Sequence, residues 1–452
     1  MPLLLAAGPL HAQEETQTTP EALADELARL RAELDALRGR VEEQERRTAD
    51  RDLREESLVV LYGDIGLGYH MLFESRRETF SRPDFRLHLG IFGTAFNVDG
   101  QRVRYDLRLT TLAEGENGKP APTLSWLPFP GYGAPAMLSV DRFLIEFEFE
   151  RVFAVTGGRF PSPFTGTEIL FDQDYNFQGL CQRARLDRLF SESVRRVLPR
   201  LELVGAQGYL AQNNLGLPSP TAESHPIYLG AQFRVDLAPF ERPVRGPDGA
   251  ISDEITSDLE LRLALGVHWY DGEEGISSNL GVGYIKPTTN VLAADGLVQS
   301  EFLIGELYFE TVLLRSRRAQ VRAWFHGLFN FHAEPEQKGK GEKNEQAFEA
   351  GAAWGMERLV DRWDFYVGFR YFLIEADAAI PEFNSDLLNT NIKGWQVDLK
   401  VRVFPSVTAY GSFSLTERED YELAGFGFPS RADPTRSGGQ SFRLRFGLWL
   451  EF

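Results

Sequence analysis

A two-residue period recurs along this chain over stretches that are long for strands of a soluble protein. In Ser441–Phe452, Phe442, Leu444, Phe446, Leu448, Leu450 and Phe452 alternate with Arg443, Arg445, Gly447, Trp449 and Glu451. The same pattern sets Arg102, Arg104, Asp106 and Arg108 against Val103, Tyr105, Leu107 and Leu109. It returns in Ile145–Glu150, Asp258–Leu263 and Trp395–Val403. Successive strand residues point to opposite faces, so each segment carries one apolar and one charged face. Alternation alone fits two folds. In a soluble sandwich the apolar face is the core and the charged face meets water. In a membrane barrel the apolar face meets lipid and the charged face lines a watery lumen. Many of these segments exceed ten residues, whereas soluble strands peak at about 5–6. That length favours the barrel.

The connections support the same reading. Asp99-Gly100, Glu150-Arg151, Arg315–Arg318, Leu359–Arg362 and Phe404–Ser406 are short. Residues 113–137, 272–299, 332–346, 376–391 and 417–438 are long and polar, with many Gly and Pro. Counted back from the last strand, short and long alternate, as tight turns and long external loops do in outer-membrane barrels. Absorbing Leu280–Ile285 into the loop 272–299 gives an even count of about 16 strands. Two connections, 189–198 and 238–254, are long for the tight-turn end. Composition narrows the classes further. With 12% aromatic residues the chain is not disordered, and its single Cys excludes a disulfide scaffold. The net charge of −18 argues against a nucleic-acid partner.

The N-terminal segment reads differently. Leu3–Leu10 is apolar and Leu10-His11-Ala12 approximates a secretory cleavage site, so residues 1–12 are expected to be a signal peptide. No basic residue precedes the apolar stretch, which points to a truncated leader. Residues 13–20 form a polar linker. Leu23, Leu27, Leu30, Leu34, Leu37 and Val41 then follow an a/d heptad spacing. With Leu27 at position a, the g–e′ pairs of a parallel coil are Glu26–Arg31′, Glu33–Arg38′ and Arg40–Glu45′, all of opposite sign. A short α-helical coiled coil over 21–56 is expected, with those six apolar residues holding a homo-oligomer, three strands being preferred to two. Residues 57–452 are expected to be the barrel. The fold class is thus all-β, an antiparallel transmembrane barrel preceded by a coil.

Two resemblances add to this. The apolar-faced last strand ending in Phe452 resembles the C-terminal strand of bacterial outer-membrane barrels, whose final aromatic is read by the barrel-assembly machinery. Within 84–190, Asp141-Arg142 on a strand is followed by Gly158-Arg159-Phe160-Pro161-Ser162-Pro163-Phe164. Phe171-Asp172-Gln173-Asp174 and Gly179-Leu180 come next. This order resembles the bacterial "putative porin" family, and more distantly the phosphate-selective porins, in which an N-terminal coil is also found. The resemblance implies an outer-membrane diffusion channel, often trimeric, for ions or small polar solutes. It implies no cofactor and supplies no substrate. Only seven lysines are present, so no dense lysine ladder for phosphate is carried over.

A Pro-, Gly- and acid-rich loop after a tight strand could fold inward and narrow the lumen. Loop 161–178 is the candidate constriction. Glu168, Asp172 and Asp174 would face wall arginines Arg159, Arg183 and Arg185, creating a transverse field that filters ions. Equally, those acids could only tie the loop to the wall, or the loop could stay outside. Arg102, Arg104, Asp106 and Arg108 are the candidate lumen wall. No Gly-x-Ser-x-Gly elbow, His-Glu-x-x-His or Cys-x-x-Cys site appears, so neither enzyme nor metal site is expected. Gly63, Gly66 and Gly68 are expected to relieve crowding in the first strand or to bend it. His70 and His88 could face the lumen. The alternative function is an envelope tether through the coil, although about 30 helical residues at ~1.5 Å each reach only ~45 Å.

Overall fold

The computed structural model describes residues 59–74, 80–98, 101–112, 127–128, 137–171, 175–209, 227–245, 251–271, 300–315, 319–335, 343–356, 358–380, 390–418 and 440–452. The chain divides into two units at Ser57/Leu58. The signal, linker and coil expected over 1–56 lie outside the described residues, and so do Leu23, Leu27, Leu30, Leu34, Leu37 and Val41.

The second unit is a sheet of seventeen strands. They are β1 (Val60–Glu74), β2 (Phe80–Val98), β3 (Gln101–Leu112), β4 (Leu127–Pro128), β5 (Met137–Phe149), β6 (Phe153–Pro161), β7 (Asn176–Arg185), β8 (Arg200–Tyr209) and β9 (Ile227–Arg245). β10 (Ile251–Asp271), β11 (Phe302–Arg315), β12 (Gln320–Asn330), β13 (Gln346–Gly355), β14 (Phe365–Ile374), β15 (Ile392–Phe404), β16 (Val407–Arg418) and β17 (Ser441–Glu451) follow. The two-residue β4 belongs to the connection between β3 and β5 and pairs only with β2. The other sixteen form a closed antiparallel ring in which each pairs with its chain neighbours and β1 pairs with both β2 and β17. Closure leaves no strand edge, which lipid would not tolerate.

The two-residue period sorts the faces as the alternation requires. On β5, Phe143, Ile145, Phe147 and Phe149 are exposed on the outside. Arg142, Glu146 and Glu148 point inward and are half-buried. Leu263, Leu265 and Val267 on β10 and Phe446, Leu448 and Leu450 on β17 are exposed likewise. The buried apolar residues therefore lie inside the barrel. Phe160, Ile169, Phe171, Phe177, Tyr228, Phe302 and Phe372 form one cluster with Ile374 and Ala378–Ile380.

Ring closure also explains two sequence details. Phe452 exchanges backbone hydrogen bonds with Gly63, both 3.0 Å. Its ring lies over that glycine, where a Cβ would come 2.6 Å from the ring. Gly63 thus relieves crowding at the seam. The Glu150-Arg151 turn has φ of 48° and 57°, with Val152 N–H donating to Phe149 O at 2.9 Å. Both central residues are left-handed, which matches the strand twist of a two-residue hairpin.

The structure differs from the sequence reading at 238–254. β9 and β10 run through most of this stretch, leaving only residues 246–250 between them. Register shifts at Ile251/Ile255, Ser257/Leu259 and Leu259/Leu261 break the alternation that would have marked the strands. Residues 186–199 do form a long connection, with a 3-10 turn at Leu186–Leu189 and a short helix α1 (Glu192–Val197). Asp187, buried in it, accepts two bonds from Arg185, both 2.8 Å, and one from Leu201 N–H at 3.2 Å. Burial pushes its carboxyl upward, but these bonds outweigh it and hold it below the usual range.

Candidate channel constriction

The loop after β6 turns into the barrel. Within β6, three residues before the strand ends at Pro161, Gly158 has φ +115°, a conformation that favours glycine. Phe164 then packs against Phe171, Phe177, Tyr228 and His268, with ring centroids 5.0–6.1 Å apart. These aromatic contacts fix the loop base beside β7, β9 and β10.

The next residues are held by side chains of successive wall strands. Gln232 of β9 accepts from Thr165 N–H at 2.8 Å and donates to Thr165 O at 2.7 Å, pairing with that backbone as a strand would. Arg234 donates to Thr165 Oγ1 at 3.0 Å. Thr167 N–H donates to His326 Nδ1 of β12 at 3.0 Å. Because Nδ1 must accept, the ring proton sits on Nε2, which donates to Glu306 Oε1 of β11 at 2.9 Å. Glu306 Oε2 also receives His268 Nε2 at 2.9 Å and Gln232 Nε2 at 2.8 Å. Tyr228 hydrogen-bonds His268 Nδ1 at 2.7 Å. Tyr228, His268 and His326 have 0% exposure and Glu306 has 5%, so this carboxylate is stabilised by the three groups aimed at it. Gly166 passes over the cluster so closely that a Cβ there would lie 2.8 Å from Glu306 Oε1.

Glu168 completes the crossing. Its carboxylate accepts from Arg370 of β14 at 3.1 Å, and Arg370 also donates to Glu349 at 3.3 Å. β6 and β14 are eight places apart in a ring of sixteen. Between its root on β6 and this ion pair, the loop spans half the ring. Ile169, Leu170 and Phe171 then turn back into the apolar cluster. Residues 375–380 occupy the same interior. Asp377 accepts from Ser300 Oγ at 2.6 Å, and its carbonyl from Asn330 at 2.9 Å.

The sequence-derived residues fall into three groups. Glu168 meets a wall arginine, but that arginine is Arg370. Arg183 and Arg185 point inward and are committed to wall or connection acids: Arg183 to Glu146 and Glu202, Arg185 to Asp187. Neither reaches the described part of the loop. Arg159 stands directly opposite Phe143 and Gln178, on the outward face, and donates to Val140 O at 3.2 Å. Its expected place facing the loop acids is therefore corrected: the period fixes its side, and Phe160 takes the inward position. Asp172 and Asp174 lie outside the described residues.

Arg102, Arg104, Asp106 and Arg108 all point inward and pair with the next strand. Arg102 and Arg104 bond Glu148, Arg104 also lies 3.4 Å from Glu146, Arg108 bonds Asp141, and Asp106 accepts from Arg142 at 3.0 Å and Tyr62 at 2.7 Å. Arg104 is 41% exposed although it points into the barrel. Opposed charges on a partly solvated wall leave little net field from any one pair. His88 bonds Asp64 at 3.0 Å and is a satisfied wall residue. Cys181 is buried in the interior cluster.

Glu306, His268, His326, Gln232 and Arg370 were missed by the sequence reading. Their signal is faint but present. Glu306 lies in Ile304-Gly-Glu-Leu-Tyr-Phe-Glu310, where Glu306, Tyr308 and Glu310 share the inward face. Among the described residues no group of three or more His, Cys, Asp or Glu is arranged to hold a metal.

This interior loop, the charged inward face and the apolar belt agree with what the comparisons find. Residues 10–199 match the model of a family described as "Putative porin". That match contains the crossing loop and all of β1–β7. A search of curated proteins finds no match. Among solved structures, the high-pH structure of Pseudomonas putida OprB aligns with TM-score 0.50 and 9% identity, covering 89% of this chain and 96% of that one. Salmonella typhi OmpF, solved in complex with daunomycin, aligns with TM-score 0.48 and 8% identity over 88% and 99% of the two chains. At such identities the OprB likeness speaks to the barrel fold alone. The family match and the closed barrel indicate a porin-like protein of the bacterial outer membrane.

Proposed function

We propose that this chain forms a water-filled channel for passive diffusion of ions and small polar solutes, narrowed by the loop between β6 and β7. One observation carries the reading. The loop is bonded to β9, β12 and β14 from inside the ring, and a chain segment held across a lumen narrows it. The Glu168–Arg370 pair and the wall arginines of β3 would set opposed charges along the remaining aperture, orienting polar solutes as they pass. The function needs no cofactor and no catalytic residue.

The same reading assigns the flanking parts. Phe452, at the ring seam, is the residue the barrel-assembly machinery would recognise during insertion. The heptads of 21–56 would lie in the periplasm and hold a homotrimer, with lipid around the apolar belt. Residues 1–12 would be removed on export.

Liposome swelling tests the channel itself. Vesicles carrying the refolded protein should swell in isotonic solutions of small sugars, at rates that fall steeply as sugar size increases. A correctly folded barrel that admits none of these solutes would overturn the reading.

A further inference from the structure

The outward face of β6–β8 departs from the rest of the belt. Directly opposed residues share a face, so two rows can be read across these strands. One is Val155, Gln182, Gly205 and Ala231; the next is Gly157, Leu180, Gln207 and Leu229. Gln178 stands one row beyond, beside Arg159. Gln178 and Gln207 are exposed, and Gln182 is half-buried over Gly205, where a Cβ would lie 3.5 Å from its Oε1. None of the three amides has a side-chain hydrogen bond to a described residue. The flanking strands show what the belt normally carries: Ile145 and Phe147 on β5, Phe233 and Leu237 on β9, all exposed.

Lipid cannot satisfy an amide, so three of them in the apolar belt are unfavourable unless another protein covers them. Small residues beside them, Gly157, Gly205 and Ala231, let a second backbone come close. An amide is both donor and acceptor, so a copy of the same patch can satisfy it. The sequence independently calls for copies of this chain: its heptads pair Glu26, Glu33 and Arg40 with opposite charges on a parallel partner. Parallel copies share one membrane in one orientation, which lets equivalent outer faces meet.

We propose that the outward face of β6–β8, centred on Gln182 and Gln207, is the surface through which copies of this chain meet in the membrane. The inference rests on the barrel being membrane-embedded, and it goes further by naming the contact surface.

Single cysteines placed in a C181S background test it: Gln182→Cys, Gln207→Cys and, halfway round the ring on the outward face of β14, Phe369→Cys. The full chain is expressed and isolated outer membranes are treated with a short bis-maleimide. Cross-linked species of twice the monomer mass are expected for positions 182 and 207 and not for 369. The double variant Q182C/Q207C should extend the ladder to the full oligomer. Heat-modifiable migration shows that each variant folded. A folded, membrane-bound barrel that cross-links at none of these positions, or equally at 369, overturns the proposed surface. Protein recovered only in the soluble fraction overturns the membrane reading instead.

Discussion

Substituting Glu168 by Gln isolates the charge of the loop from its placement. Glutamine keeps an acceptor for the Arg370 guanidinium, which now stands 3.1 Å from Glu168 and 3.3 Å from Glu349. The loop remains anchored by Gln232 and His326, so one negative charge is lost while the crossing stays. For a monovalent ion passing about 10 Å away in water, that charge is worth about 0.4 kcal/mol. The change acts with opposite sign on cations and anions, so the cation/anion permeability ratio should fall by about four-fold without screening. Salt reduces this to about three-fold at 0.01 M and below two-fold at 0.1 M. The assay is the reversal potential of a planar bilayer under a salt gradient, at low and at moderate ionic strength. Arg370→Gln should shift it the other way. If both reversal potentials equal that of the wild type at 0.01 M, the ion path does not pass this pair and the filtering argument fails.

Other expectations follow from particular contacts. Glu306→Ala strands His268, His326 and Gln232 in a buried site and should cost about 3 kcal/mol or more; the loop should become sensitive to added protease while the barrel stays heat-modifiable. Gly166→Val puts a branched side chain where even a Cβ would lie 2.8 Å from Glu306 Oε1, so the loop should lift and single-channel conductance should rise. Asp187 is held below the usual carboxylate range, so its contribution is complete at neutral pH and is lost as pH falls through its folded value. Denaturation in urea should therefore show a gap between wild type and D187N at pH 7 that narrows in acid. Gly63→Leu would collide with the Phe452 ring and should slow refolding into detergent micelles, as followed by gel migration.

How much was legible in the sequence depends on how local the cause was. The two-residue period fixed which side each residue takes, and that is enough for a ring of alternating strands. It placed Arg102, Arg104, Asp106 and Arg108 inside, because their side follows from their own strand. It also contained the correction to Arg159, which must share a side with Gly157 and Val155 rather than Phe160. Irregular pairing at the start of β10 obscured the period over 251–257, and that part of the strand was read as connection. The composition of loop 161–178 marked it as special, but its partners lie 67 to 202 residues away, at Gln232, His326 and Arg370. Such contacts depend on how far round the ring the loop reaches, which no local pattern encodes. The histidines illustrate this: His88 and His326 both alternate with apolar residues, yet only His326 meets the loop.

The central claim is that the barrel is an open channel with a segment held across its lumen. Single-channel recording of the full-length protein in a planar bilayer tests it most directly. The account predicts stepwise, ohmic conductance of one unit size, which increases in Gly166→Val. A barrel that inserts and migrates as folded yet passes no ions would contradict it.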